Sequence, residues 1–250
     1  LSRRQRQMCI RDSPADATAT ADAYKQAAAA GIKIVFMDQR ANGLEAGKDY
    51  VSVVSADNYG NGYASGTVLG DALGGKGKVA MVYYDANFAP TNQRDEGFRD
   101  AMKNYPDIEI VTEQGFTDES GCAEQGDAIL TQFPNIDGIY ASWDVPMEGV
   151  LSAVRAAGME GKVTLACNDL GNNVAREIAS GNIAGGGAQM PYDQGVAEAK
   201  LAALALLGEE TPSYVAVPAE TVTHENVLEA YTDVYLSLIH ISEPTRPRLI

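Results

Sequence analysis

The sequence predicts an α/β protein built on parallel sheets flanked by helices. Apolar runs of about five or six residues alternate with longer amphipathic segments from one end of the chain to the other, the rhythm of βα units. Three of those runs break off into a polar group at the same point: IKIVFMDQR ends in Asp38 and Arg40, DGIYASWD in Trp143 and Asp144, and VTLACND in Asn168 and Asp169, while IAGGGAQ delivers Gln189 the same way. In an open parallel sheet the carboxyl ends of the strands face one crevice. Carboxylates, an amide, a guanidinium and an indole would converge there, a set suited to gripping a small polyhydroxylated molecule.

In chain order, the Ala-rich segment 15–30 reads as a helix, then IKIVFM at 32–37 and VSVV within 50–54 as strands. Amphipathic segments at 58–73, 91–104, 119–132, 146–157, 170–180 and 191–207 follow as helices. Apolar runs at 78–84, 108–112, 137–141, 162–167, 183–188 and 214–217 stand between or after them as strands. Gly31, Gly74, Gly158, Gly181 and Gly208 close helices where a left-handed C-terminal cap is expected. YGNGYASG, residues 59–66, puts glycines at a helix start. It lacks the Walker lysine and the spacing of a dinucleotide fingerprint, so close packing of the helix against the sheet is expected instead.

At 250 residues and 26.5 kDa the chain is long enough for one large domain or two smaller lobes. No run of about eighteen apolar residues is present. The two ends differ from the body. Met8 to Ser13 can be encoded by ATG TGT ATA AGA GAC AG, and the reverse complement of that string, read from CTG, encodes Leu236 to His240. The string resembles a transposon end used as a sequencing-library adapter. Residues 1–12 and 236–250 are therefore expected to be non-native and are set apart from the fold. Without them, 13 Lys and Arg face 32 Asp and Glu, a net charge of −19 for 13–235. Such a body repels phosphate backbones, so nucleic acid is not an expected partner.

Cys122 and Cys167 have no metal or redox spacing and are expected to be buried free thiols. The lone body histidine, His224, provides no metal or acid–base constellation. No G-x-S-x-G elbow or H-E-x-x-H helix occurs.

Pro14-x-Asp16-Ala17, GIKIVFMDQR, VSADNYGNG, TNQRDEGFRDAM with YPDIEIV, FPNIDGIYASWD, VTLACND, GAQMPYDQG and VTHENV together resemble, in order and spacing over nearly all of 13–230, the ribose-type sugar-binding proteins of ABC importers. The resemblance implies the periplasmic binding protein-like I fold: two Rossmann-like lobes with parallel sheets flanked by helices and a hinge between them. It puts 13–56 plus 190–218 in an incomplete N-terminal lobe and 57–189 plus 219–235 in a C-terminal lobe. It also implies that further strands and helices of the first lobe precede residue 13, so that no strand precedes the first helix and the apolar faces of 32–37 and 15–30 are exposed. The ligand implied is a sugar or sugar-like polyol and the partners are ABC permease membrane subunits. A monomer is implied, periplasmic or lipid-anchored outside the cytoplasm, with no cofactor, no metal and no catalysed reaction. The effector domain of a lac-repressor-type regulator shares the fold; the strong negative charge and the VTHENV ending favour the transport receptor.

The resemblance also implies ligand residues. Asp38 falls on the family's strand-end aspartate. The family commonly has Arg directly after it, whereas here Gln39 intervenes before Arg40, and either side chain is a candidate. Asn92 stands where Arg is frequent; Arg94 is retained and reads equally as a helix-start residue. Asp169 falls on the second ligand aspartate and Gln189 on a hinge-adjacent glutamine. Trp143 replaces an Asn just before the Asp matched by Asp144, which implies an indole stacked on a ligand other than plain ribose, with Phe88 and Phe116 as further candidates for the cleft wall.

Overall fold

The computed structural model describes residues 8–14 and 16–236; expectations for 1–7, Ala15 and 237–250 lie outside the described residues. The elements are β1 (Cys9–Asp12), α1 (Ala21–Ala29), β2 (Lys33–Met37), β3 (Ser52–Ala56), α2 (Asn58–Ala72), β4 (Lys76–Tyr84), α3 (Ala89–Met102), β5 (Asp107–Phe116), α4 (Cys122–Gln132), β6 (Gly138–Ala141), α5 (Asp144–Ala156), β7 (Thr164–Cys167), α6 (Asn172–Ala179), β8 (Gly185–Ala188), α7 (Pro191–Leu207), β9 (Tyr214–Val217), β10 (Glu220–Thr223) and α8 (Val227–Tyr235). The chain divides into two compact units. One takes the described residues up to Asp57 with Met190–Pro218, the other Asn58–Gln189 with the described residues from Ala219 onward.

The first unit carries a parallel sheet in the order β1-β2-β3-β9. Its central strands are buried on both faces, which is why they read as unbroken apolar runs rather than alternating ones. Ile34 and Phe36 pack on Tyr24, Leu44 and Tyr50, with the Phe36 ring 4.8 Å from Tyr24 and 5.4 Å from Tyr50 in edge-to-face contact. Val35 and Val54 face the other way, onto Leu201 and Ala202 of α7 and Val217 of β9.

Two expectations are corrected here. Residues 9–12, set apart from the fold above, form β1, paired in parallel with Lys33–Phe36. Ile10 packs on the Phe36 side and Cys9 on the Val35 side, so successive side chains serve both faces of the sheet. Ile34, Val35 and Phe36 are accordingly fully buried rather than exposed. The first helix also starts later than expected. Asp16 Oδ1 accepts the N–H groups of Thr18 (2.8 Å) and Ala19 (2.9 Å), a side-chain cap that keeps 16–20 in turns ahead of α1.

The second unit holds a six-stranded sheet in the order β10-β8-β7-β6-β4-β5, parallel throughout except for β10 on its edge. From β4 the chain moves outward to β5 and then returns to the other side of β4 as β6. The topological switch therefore lies between β4 and β6. Strand β10 and helix α8 escaped the sequence reading because ETVT and VLEAYTDVY are short. Gly31, Gly74, Gly158, Gly181 and Gly208 all take positive φ, from 64° to 82°, as the helix-cap reading requires.

Helix α2 packs closely on the sheet as expected, with a Cβ on Gly187 of β8 falling 2.4 Å from the Asn61 oxygen, and its own glycines also meet a second helix. A Cβ on Gly62 would lie 1.7 Å from the Arg94 carbonyl oxygen, and one on Gly97 of α3 would lie 2.1 Å from the Tyr59 oxygen. Only glycine lets α2 and α3 approach this closely. That contact seats α3 at Arg94.

Candidate functional site

The strand ends of each unit can be built up separately. In the first unit β2 runs out at Met37 and Asp38 follows with φ 61°, a left-handed backbone that Asp tolerates better than most residues. Its N–H donates to the Val54 carbonyl in the middle of β3 (2.9 Å). The Asp38 carboxylate accepts from Gln194 Nε2 at 2.7 Å and, at a longer 3.4 Å, from Ser55 Oγ. Gln39 donates through Nε2 to the Pro14 carbonyl (2.6 Å), and Arg40 is exposed with Nη1 on the Leu44 carbonyl (3.0 Å). Of the pair left open above, neither side chain joins the Asp38 carboxylate. Both are turned onto nearby backbone, because unpaired loop carbonyls offer them acceptors at short range.

In the second unit β7 ends in Cys167, and Asn168 and Asp169 part company. Asn168 is fully buried. Its amide donates to the Tyr140 hydroxyl (2.8 Å) and the Ser142 carbonyl (3.0 Å) and accepts from Ser65 Oγ (2.8 Å), so it is a core residue and not part of the convergent set. Asp169 has φ 66° and donates its N–H to the Gly187 carbonyl (2.8 Å). Its two carboxylate oxygens take a fork from Arg94, Nη1 at 2.7 Å and Nη2 at 3.1 Å. Arg94 is 6% exposed and also donates to Asn58 Oδ1 (3.1 Å) and the Ser142 carbonyl (3.2 Å). A buried guanidinium with this many fixed acceptors is held in one orientation. Asn92, two residues earlier on α3, is exposed and takes no part in that network.

Trp143 closes β6. Its ring is half-buried, lying edge-to-face with Tyr84 (5.6 Å) and tilted against Phe116 (5.2 Å), and its Nε1 donates to Glu119 Oε1 (3.1 Å). Tyr84 and Phe116 are the last residues of β4 and β5, so the three rings form an aromatic wall over three adjacent strand ends, astride the switch point. Phe88 is half-buried just before α3 and outside this cluster. Asp144 opens α5, with Oδ1 on the Val145 N–H (2.9 Å). Burial, then the nearby Asp169 carboxylate, push its pKa up to about 6. Burial likewise pushes Asp95 up to about 6, against the hydrogen bonds from Ser142 Oγ (2.6 Å) and Tyr140 (3.2 Å). Gln189 follows β8 directly and is half-buried.

Gln194, Asn58 and Ser142 were not singled out from the sequence. One signal was available for Gln194: with Glu198, Leu201 and Ala202 it falls on a single buried stripe of α7, where a polar side chain needs a partner. Asn58 and Ser142 carry no such pattern. Among the described residues no cluster of three or more His, Cys, Asp or Glu is arranged to hold a metal ion, and Cys122 and Cys167 are buried free thiols. No helix among them is long and apolar enough to cross a membrane.

The family model of the periplasmic binding protein domain matches residues 12–210. The D-ribose/D-allose-binding protein of Pseudomonas aeruginosa is 30% identical over 222 residues, 84% of this chain and 68% of that protein. The D-allose-binding periplasmic protein of Escherichia coli is 30% identical over 176 residues, 68% of this chain but only 57% of that protein. Among solved structures, an ABC transporter periplasmic solute-binding protein from Actinobacillus succinogenes with bound D-allose aligns with a TM-score of 0.82 at 29% identity, over 89% of this chain and 80% of that one. A solute-binding protein from Agrobacterium vitis bound to α-D-tagatopyranose aligns at 0.81 and 25% identity, over 93% and 80%.

Proposed function

The chain belongs to the periplasmic binding protein domain family, and from that premise we propose that it is the substrate-binding component of an ABC importer, capturing a sugar or sugar-like polyol. The observation that carries this reading is the pair of strand-end aspartates. Asp38 and Asp169 each sit in left-handed backbone at the carboxyl end of a parallel strand, one in each unit. Strained non-glycine backbone persists where the surroundings over-determine it, and it concentrates at ligand clamps. Carboxylates so placed accept hydrogen bonds from neighbouring hydroxyls of a pyranose or furanose. The aromatic wall at Trp143 suits the apolar C–H face of a sugar ring.

In this reading the two units are the lobes of the fold, and each offers strand-end acceptors to the ligand. The ligand set is Asp38, Arg94, Trp143, Asp144, Asp169 and Gln189. The liganded form then docks on the permease outside the cytoplasm, and the protein itself catalyses nothing. Sugars bound by the relatives, D-ribose, D-allose and tagatose, are the first to test. Trp143 is the only tryptophan, so its emission reports on the site directly. A saturable change on titrating one of these sugars is the expected result. Absence of any response across pentoses, hexoses and inositols, confirmed by calorimetry, would overturn the reading.

A further inference from the structure

We propose that Gln194 is a positioning residue of this site: its amide fixes the Asp38 carboxylate and thereby sets the affinity of the first unit for the ligand. The inference rests on the sugar-binding reading above and deepens it. Gln194 is 4% exposed, and its Nε2 donates to Asp38 Oδ1 at 2.7 Å and reaches the Val54 carbonyl at 3.4 Å. An amide that deep in an apolar face is costly to desolvate unless its hydrogen bonds are used. Here the short one is used on the strand-end aspartate, with the carbonyl that receives the Asp38 N–H at the edge of reach. The Asp38 backbone is thus tied to the middle of β3, and the amide that holds its side chain lies beside the same carbonyl. The other donor to this carboxylate, Ser55 Oγ, stands at 3.4 Å, as long and weak as the Gln194–Val54 approach, so the 2.7 Å bond from Gln194 is the short one.

Position along the chain adds to this. Gln194 is in the opening turn of α7, five residues after Gln189, where the chain passes from the second unit into the first. The segment that makes the crossing therefore also carries the group that holds Asp38. The other charged groups at this place are Glu198, one turn further along α7 and buried, and Arg11 of β1.

The test uses Gln194→Leu and Gln194→Glu with the sugar identified by the Trp143 titration. Gln194→Leu leaves Asp38 without its short donor, and affinity should fall about 10- to 100-fold with an unchanged far-UV spectrum. Gln194→Glu should behave differently. Protonated Glu donates as the amide does, whereas the ionised form places a second carboxylate against Asp38. Its affinity relative to wild type should therefore fall steadily as pH is raised from about 5 to about 8. A residue that merely supports the helix gives no such pH-dependent ratio. Affinity within twofold of wild type for Gln194→Leu overturns the inference, as does a Gln194→Glu deficit that does not change with pH. Failure of the wild type to bind any sugar would sink the reading beneath it instead. The positioning contact is then decided without ligand, by a cycle of Asp38→Ala and Gln194→Leu in urea unfolding. Non-additivity of about tenfold in the unfolding constant is expected, and additivity overturns it.

Discussion

Asp38 and Asp169 occupy corresponding places in the two units, yet one is held by an amide and the other by a guanidinium. Each follows a parallel strand, takes positive φ (61° and 66°) and donates its N–H to a carbonyl on the neighbouring strand, Val54 or Gly187. Each is gripped from the early turns of a helix with a proline at its start, Gln194 of α7 and Arg94 of α3. The same backbone device thus carries two different electrostatic balances. In the second unit the carboxylate charge is matched by a buried bidentate partner, so the group is rigid and neutralised. In the first unit a neutral amide orients the carboxylate and leaves its charge in place. The lesson is that the backbone fixes where an acceptor is presented, while the partner's charge decides how much that acceptor matters to the fold.

The largest expected difference follows from this. Asn tolerates the left-handed backbone as Asp does, so Asp169→Asn and Asp38→Asn remove charge with little added strain. Asp169→Asn removes the opposite charge from a buried guanidinium that keeps its bonds to Asn58 and Ser142, and breaking a buried pair costs up to about 3–5 kcal/mol. Asp38→Asn keeps an oxygen acceptor for Gln194 and should cost about 1 kcal/mol or less. Urea unfolding followed by circular dichroism measures both. Equal losses would break the distinction between the two units.

A smaller effect sharpens the picture of the second unit. Asp144 has a folded pKa of about 6 against an ordinary 3.8, raised by burial first and Asp169 next. The folded state therefore holds this proton more tightly than the unfolded chain. Stability contributed here falls as pH rises from about 4 to about 6 and stays lost above that window. Asp95 titrates in the same direction and window. Asp144→Asn should relieve at most about 3 kcal/mol at neutral pH and flatten the decline without abolishing it, because Asp95 remains. Thermal melts across this range check it, and a decline unchanged in Asp144→Asn refutes the assignment to that carboxyl.

The alternation of apolar runs and amphipathic segments was enough to read the parallel sheets, because strands buried on both faces, such as Lys33–Met37, carry their burial in their composition. Asp38 and Asp169 were legible for a related reason: an apolar strand that breaks into a carboxylate has run out of sheet. Their partners were less so. Arg94 read as evenly structural or functional, and the structure makes it a buried ion-pair partner. Gln194 was hidden because α7 as a whole is apolar, and only the stripe of buried positions shows that its glutamine faces inward. Asn168 misled in the opposite direction. It sits beside Asp169 in sequence, but adjacent residues at a strand end point to opposite faces, and its face is the core. Residues 9–12 were discounted on nucleotide grounds, which carry no information about pairing; Cys9 and Ile10 have the apolar character that an edge strand on β2 needs.

The smallest predicted effect bears hardest on the comparison, because it concerns whether the first unit has a guanidinium of its own. Arg40 is exposed, and its only described side-chain hydrogen bond is to the Leu44 carbonyl at 3.0 Å. A solvent-facing bond to a neutral acceptor is worth little, so Arg40→Ala should change stability by less than about 0.5 kcal/mol. Sugar affinity in the Trp143 titration should stay within about twofold, since the amide of Gln194, and not this guanidinium, holds Asp38. A loss of tenfold or more, about 1.4 kcal/mol, would mean that Arg40 leaves Leu44 for the ligand. Both aspartates would then work beside an arginine, and the electrostatic asymmetry between the units would be a property of the unliganded protein alone.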